Sequence, residues 1–257
     1  MSKVLSITSQ KGGVGKTTTA INLGAAINHF GEDVLVIDGN LSTPNVGIHL
    51  NSPEVPIHLN HVLSKKAKAF EAIYEHESGL KIVPASLSIK ELKNTDPARM
   101  KSFRKEFQDS ADYIIVDSAA GLGKEALSAM ELADELIVVT NPEMPAITDA
   151  LKTIKMAEEM KIPVKGVIMT RVRKDKIELQ PETVKDMLET PILGMVPEDL
   201  SIKDSLNHKD AVVHVYPKSN SARAYKEIAA RLLEREYNSK KDKDGVFSRI
   251  AKAFGWK

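Results

Sequence analysis

Cysteine is absent from the 257 residues. That excludes a disulfide framework, a cysteine nucleophile, thiolate zinc sites and cysteine-held iron–sulfur clusters, and it fits a reducing cytoplasm. Net charge is nearly absent too, since 36 Lys+Arg stand against 35 Asp+Glu for a balance of +1. A chain-wide basic field for nucleic acid is therefore missing. No run reaches the ~20 apolar residues a membrane-spanning helix needs. The opening MSKVLSITSQ lacks the apolar stretch of a signal peptide. Against these absences, 42% hydrophobic and 28% charged residues suit a folded chain with a sizeable core and exclude a disordered one. The length suits a single α/β domain.

Short apolar runs recur at Lys3–Thr8, Val34–Ile37, Lys81–Pro84, Tyr113–Val116, Leu136–Thr140, Val164–Thr170 and Ile192–Val196. Between them lie helix-like stretches at Thr17–Phe30, Ala67–Tyr74, Pro97–Phe107, Lys124–Leu132, Ala146–Met160, Pro181–Leu188 and Ala222–Tyr237. Continuous apolar strands alternating with amphipathic helices predict an α/β fold, a doubly wound and mostly parallel sheet with helices on both faces. No internal repeat or linker interrupts residues 1–237. Composition then changes: Asn238–Gly245, NSKKDKDG, has no apolar residue and reads as a polar linker. Residues 246–257, VFSRIAKAFGWK, end the chain.

The strongest signal is Lys11-Gly12-Gly13-Val14-Gly15-Lys16-Thr17-Thr18, after a predicted strand and before a predicted helix. Glycines let the backbone curl so that N–H groups point at phosphate oxygens, and the helix N-terminus adds its dipole. In a loop of this type Lys16 serves the β- and γ-phosphates and Thr17 offers its hydroxyl to Mg²⁺. Asp117, after the YIIV run, is a carboxylate placed to hold a Mg²⁺-bound water; a lone Asp there is otherwise a helix cap.

The loop departs from the ordinary GxxxxGK[ST] pattern, because Gln10 stands where the first glycine would be and Lys11 precedes the glycines. KGGVGKTT with that extra lysine resembles the deviant Walker A motif of the MinD/ParA family of dimeric ATPases. Glu125–Glu158 and Val34–His49 resemble its archaeal MinD-like branch, and the similarity runs from Lys3 to about Tyr237. The resemblance implies ATP and Mg²⁺ as ligands and a homodimer with ATP sandwiched between subunits. Lys11 becomes the lysine that reaches the partner's phosphates. Asp117–Gly123 becomes switch II, with Gly121 sensing the γ-phosphate. Arg171, Pro197 and Asp199 fall in segments that resemble the family's adenine side; on their own they read as a surface arginine and a strand-to-helix turn.

Switch I departs from the family pattern. After the VLVI run the family carries Asp-x-Asp, whose second carboxylate positions the attacking water, whereas this chain has Asp38-Gly39-Asn40. An amide can bond a water but cannot take its proton at neutral pH. Losing a general base typically costs ~10²–10⁴-fold in rate. Asn40 therefore implies very slow hydrolysis or a substitution that traps the ATP state. Asp38 is either a group behind the Mg²⁺ ligands or a cap for the turn.

On a helix, Val246, Phe247, Ile250, Ala251 and Phe254 share one arc, with Arg249 and Lys252 opposite and Lys240, Lys241 and Lys243 upstream. A short basic amphipathic segment on a polar tether reads as an element for an anionic membrane surface. It also resembles the membrane-targeting tail of MinD proteins; the bland alternatives are a helix docked on its own domain or a frayed end. The resulting expectation is a MinD-like peripheral ATPase, cytoplasmic and reversibly bound to the inner face of the cell membrane. It would position division or surface machinery with an unidentified activator or cargo protein. The alternative is a ParA-like DNA-partition ATPase using RVRKDK (Arg171–Lys176) and Lys65, Lys66 and Lys68. Such charge runs are usually solvated faces and the balance of +1 lends little support, so DNA is the weaker expectation. A metabolic ligase of the same fold has no dedicated substrate motif here.

Overall fold

A computed structural model describes residues 2–173 and 177–237. The chain runs β1 (Lys3–Ser9), α1 (Lys16–His29), β2 (Val34–Gly39), α2 (Val46–His49), α3 (Leu59–Leu63), β3 (Tyr74–Glu75), β4 (Lys81–Val83), α4 (Ile89–Lys93) and α5 (Met100–Phe107). It continues through β5 (Tyr113–Ala120), α6 (Lys124–Glu131), β6 (Glu135–Thr140), α7 (Met144–Glu159), β7 (Val164–Val172), α8 (Pro181–Leu188), β8 (Ile192–Pro197), α9 (Leu200–Asn207), α10 (Val212–Val215) and α11 (Asn220–Leu232). The strands form one sheet in the order β3-β4-β2-β5-β1-β6-β7-β8. Every neighbouring pair is parallel except β3–β4 at one edge.

Both parities of the central strands are buried because helices cover both faces. Leu5, Ile7, Val34 and Val36 pack with Ile21, Leu23 and Tyr225 of α1 and α11 on one side. Val4, Leu35 and Ile37 pack with Phe103, Phe107 and Met130 of α5 and α6 on the other. Val138 and Val167 meet Ile147, Ile154 and Val184 of α7 and α8. The strand order reverses at β1, which opens a crevice at the carboxyl ends of β1 and β5, where open α/β sheets bind ligands.

Several expected boundaries moved. Ala67–Tyr74 is not a helix: a 3₁₀ turn holds Ala69–Ala72, and Tyr74 starts the antiparallel edge strand. The Pro97–Phe107 stretch opens as a 3₁₀ turn, Pro97–Arg99, capped by the Asp96 carboxylate accepting from the Ala98 amide at 3.2 Å. Helix α11 starts two residues before the expected Ala222, because Ser219 caps it, and ends at Leu232 rather than Tyr237. Just beyond, Glu234 is left-handed at φ 53°, which a continuing helix cannot accommodate. Strand β5 continues through Asp117 to Ala120, so Asp117 lies inside the strand and not at its end. The short α2, α3, α4 and α10 offer too few turns for a 3.6-residue period to register.

Candidate nucleotide-binding site

The loop between β1 and α1 is built by its glycines. Gly13 and Gly15 take φ of 75° and 96°, the left-handed region where a side chain is strained. A Cβ at Gly12 or Gly13 would meet nothing within 4 Å, so the loop rims open space. Helix α1 begins at Lys16 with Gly15 as its cap and no side chain covering the first amides. Those donors and the helix dipole face the space an anion would fill. Val14 turns inward into the core, and its carbonyl accepts from the Thr170 hydroxyl at 2.5 Å. Thr170 in turn donates toward Asn141 Oδ1 at 3.0 Å, so the loop is fastened to the ends of β6 and β7.

Lys16 is 8% exposed, and its ammonium donates to Ser9 Oγ at 3.2 Å. Burial lowers its pKa, while the Asp117 carboxylate partly restores it. Thr17 Oγ1 donates to Asp117 Oδ2 at 2.5 Å. Burial pushes the Asp117 carboxyl up to about 6, against the pull of the Thr17 hydroxyl and Lys16. Its other oxygen, Oδ1, is buried with no hydrogen-bond partner among the described residues. An orphaned carboxylate oxygen beside a threonine hydroxyl is the hard-oxygen pairing that suits a hydrated Mg²⁺. The residues present therefore fit the metal.

Asp38 lies one strand away, in register with Asp117. It accepts from the amides of Asn40 at 3.2 Å, and of Asn45 and Val46 at 2.9 Å each. Burial and the neighbouring Asp117 push its pKa well above the usual carboxylate range, and the three amides oppose that. Of the two roles left open by the sequence, the structure displays the cap of the turn. Asn40 sits in that turn. Its Nδ2 donates to the Thr43 carbonyl at 2.7 Å, and its Oδ1 accepts from the Thr43 amide at 3.3 Å and hydroxyl at 3.1 Å. Gly121 is left-handed at φ 89°, and its amide donates to the Ser9 carbonyl at 3.2 Å, which draws switch II against the end of β1.

The remaining sequence candidates lie apart from this cluster. Lys11 pairs with Glu143 at 3.4 Å across the loop rim, both side chains exposed. Arg171, left-handed at φ 56°, lines a cavity of about 410 Å³ with Asn141, Glu143 and Met144. Pro197 lines a different cavity, of about 880 Å³, between β8 and α11. Asp199 caps α9 by accepting from the Ser201 amide at 2.9 Å, and its second oxygen takes the Ser221 amide and hydroxyl at 3.1 and 3.0 Å. Sequence reading missed Ser9, Thr170, Asn141, Glu143 and Glu125. Thr170, Asn141, Glu143 and Glu125 act through contacts distant in sequence, for which no local spacing gives a signal, and Ser9 lies within the loop's own reach of Lys16.

A glycine-built loop between a central parallel strand and a helix, holding a buried lysine and a threonine–aspartate pair, defines a P-loop NTPase. The ParA family model, described as "NUBPL iron-transfer P-loop NTPase", matches residues 1–233. An ATP-binding protein of Methanocaldococcus jannaschii is 36% identical over 98% of this chain and 96% of its own length. The septum site-determining protein MinD of Synechocystis is 32% identical over 90% of each chain. The septum site-determining protein MinD of Pyrococcus horikoshii, solved in complex with Mg-ADP, superposes with a TM-score of 0.87 at 32% identity, covering 90% of this chain and 96% of that one. The chain belongs to the ParA/MinD family of P-loop NTPases.

Proposed function

We propose that this chain is a MinD-like ATPase that dimerises on Mg²⁺-ATP and, through its C-terminal segment, holds a membrane surface on which it positions cell machinery. The observation that carries the reading is the arrangement of Lys16, Thr17 and the unpartnered Asp117 Oδ1 under an open glycine rim. The P-loop amides and Lys16 bind and orient the β- and γ-phosphates. Thr17 and Asp117 would hold the metal. Mg²⁺ supplies charge neutralisation for phosphoryl transfer. Asn40 orients the attacking water but cannot take its proton, so hydrolysis is slow.

Exposed apolar side chains support dimerisation through this same face. Among the described residues, Ile48, Leu87, Ile89, Met144, Ile177 and Leu200 are exposed. These six lie on segments that follow the carboxyl ends of parallel strands, whereas Phe70 and Met195, also exposed, do not. Apolar side chains exposed on the ligand face suit an association surface. Lys11 is exposed there, in a surface pair with Glu143 that is worth ~0–1 kcal/mol and so is readily exchanged for a phosphate. Light scattering of the full chain should show a dimer with Mg²⁺-ATP and a monomer without it. Lys11→Ala should abolish the dimer while changing ATP affinity less than ~3-fold, since its ammonium serves the other subunit. A monomer at saturating ATP would overturn the reading.

The segment assigned to membrane binding, residues 246–257 with the linker 238–245, lies outside the described residues. No helix among the described residues is long and apolar enough to cross a membrane. A single short amphipathic anchor binds weakly. Two on one dimer gain roughly 10²–10⁴-fold in avidity, which makes membrane residence follow the nucleotide state. Deleting residues 246–257 should abolish ATP-dependent sedimentation with anionic vesicles and leave ATP binding intact. Undiminished sedimentation of the shortened chain would remove the anchor from the proposal.

A further inference from the structure

Between the end of β2 and the start of α2 the chain has no ladder or helix to satisfy its amides, yet five of them are donated to side-chain oxygens. Asp38 takes those of Asn40, Asn45 and Val46, and Asn40 takes that of Thr43. Asp38 and Asn40 belong to the segment itself. The fifth, Ser42, is held from the segment that follows the neighbouring strand β5: its amide donates to Glu125 Oε1 at 2.8 Å and its hydroxyl to Glu125 Oε2 at 2.6 Å. Glu125 sits in the first turn of α6, where a carboxylate is favoured by the helix dipole. That helix begins at Lys124, directly after the Gly121–Gly123 stretch of switch II. Both carboxylate oxygens are thus spent on one residue of switch I, in a pair of charge-assisted hydrogen bonds.

We infer that Glu125 is a positioning residue, a latch that fastens switch I to switch II and so fixes the Asn40 turn over the phosphate site. This rests on the ATPase reading above. The turn is short: Asn40 is bonded to Thr43, next to Ser42, so a pull on Ser42 is transmitted to the Asn40 side chain within three residues. Movement of the Gly121 loop when a phosphate enters shifts the base of α6, and the carboxylate carries that shift across to switch I. Asp38 holds the other end of the turn, which therefore keeps its anchorage when the latch opens.

The test uses the full chain carrying Glu125→Ala or Glu125→Gln. Hydrogen exchange without nucleotide should show the Ser42 amide exchanging at least about tenfold faster in Glu125→Ala, while Asn45 and Val46 stay within about twofold of the unmodified protein. In single turnovers with Mg²⁺-ATP, Glu125→Ala should lower the hydrolysis rate about tenfold with the half-saturating ATP concentration changed less than about twofold. Glu125→Gln keeps one neutral acceptor and should fall between the two. Unchanged protection of Ser42 would overturn the latch, as would an unchanged or faster turnover. Equal loss of protection across residues 40–46 with weakened ATP binding would also overturn it, since that marks a merely structural role. Absence of any turnover in the unmodified protein would count against the ATPase reading instead, and the Ser42 exchange, measured without nucleotide, would still decide the latch.

Discussion

Replacing Asn40 by aspartate should raise the single-turnover rate of ATP hydrolysis at least about tenfold, equivalent to ~1.4 kcal/mol of barrier. On the reading proposed above, Lys16, Thr17 and Asp117 hold the phosphates and metal, and the group the site lacks is one that accepts the water's proton. The amide is occupied on both sides: Nδ2 on the Thr43 carbonyl and Oδ1 on the Thr43 amide and hydroxyl. An aspartate keeps the accepting oxygen but loses the donor, and its second oxygen faces the Thr43 carbonyl. That oxygen is repelled from the turn and becomes available to water. The lost hydrogen bond costs about 1 kcal/mol, which lowers Tm by roughly 2–4 °C for a chain of this size. The ATP-bound dimer should shorten its lifetime in step with the faster hydrolysis. Equal rates for the two proteins would show that Asn40 does not stand where the missing base belongs.

The phosphate-binding half of this site was legible in the sequence because it is local. Gly13, Gly15, Lys16 and Thr17 act within a few residues of one another, and their spacing encodes the loop's shape. The central strands were legible for a related reason: burial on both faces leaves an unbroken apolar run. What escaped the sequence is what depends on pairing across the sheet. The orphaned oxygen of Asp117 exists because Thr17, a hundred positions away, takes its twin. Glu125 reads as a surface residue of an amphipathic helix until β2 and β5 bring switch I beside it. The Ala67–Tyr74 segment misled because its composition suits a helix, while the exposed edge beside β4 draws Tyr74 into a strand.

The second large effect lies with Lys16, whose replacement by alanine should weaken Mg²⁺-ATP binding by about a hundredfold or more. Hydrogen bonds to charged groups contribute ~1.5–3 kcal/mol each, and this ammonium is placed for two phosphates. Its burial sharpens the effect. At 8% exposure the lysine is poorly hydrated, its pKa is lowered, and its hydrogen-bond partner is the Ser9 hydroxyl at 3.2 Å. An incoming phosphate therefore displaces little water and finds a cation already aimed. Removing that cation also raises Asp117 further from about 6, because Lys16 is one of the two groups that hold its carboxyl down. The fold should survive, since α1 is fixed through Ile21, Leu23 and Ile27 rather than through its first residue. Calorimetric titration with Mg²⁺-ATP reads the outcome, with Lys11→Ala as the contrasting variant that retains affinity. If Lys16→Ala binds within about fivefold of the unmodified chain, the buried lysine does not face the phosphates and the nucleotide lies elsewhere.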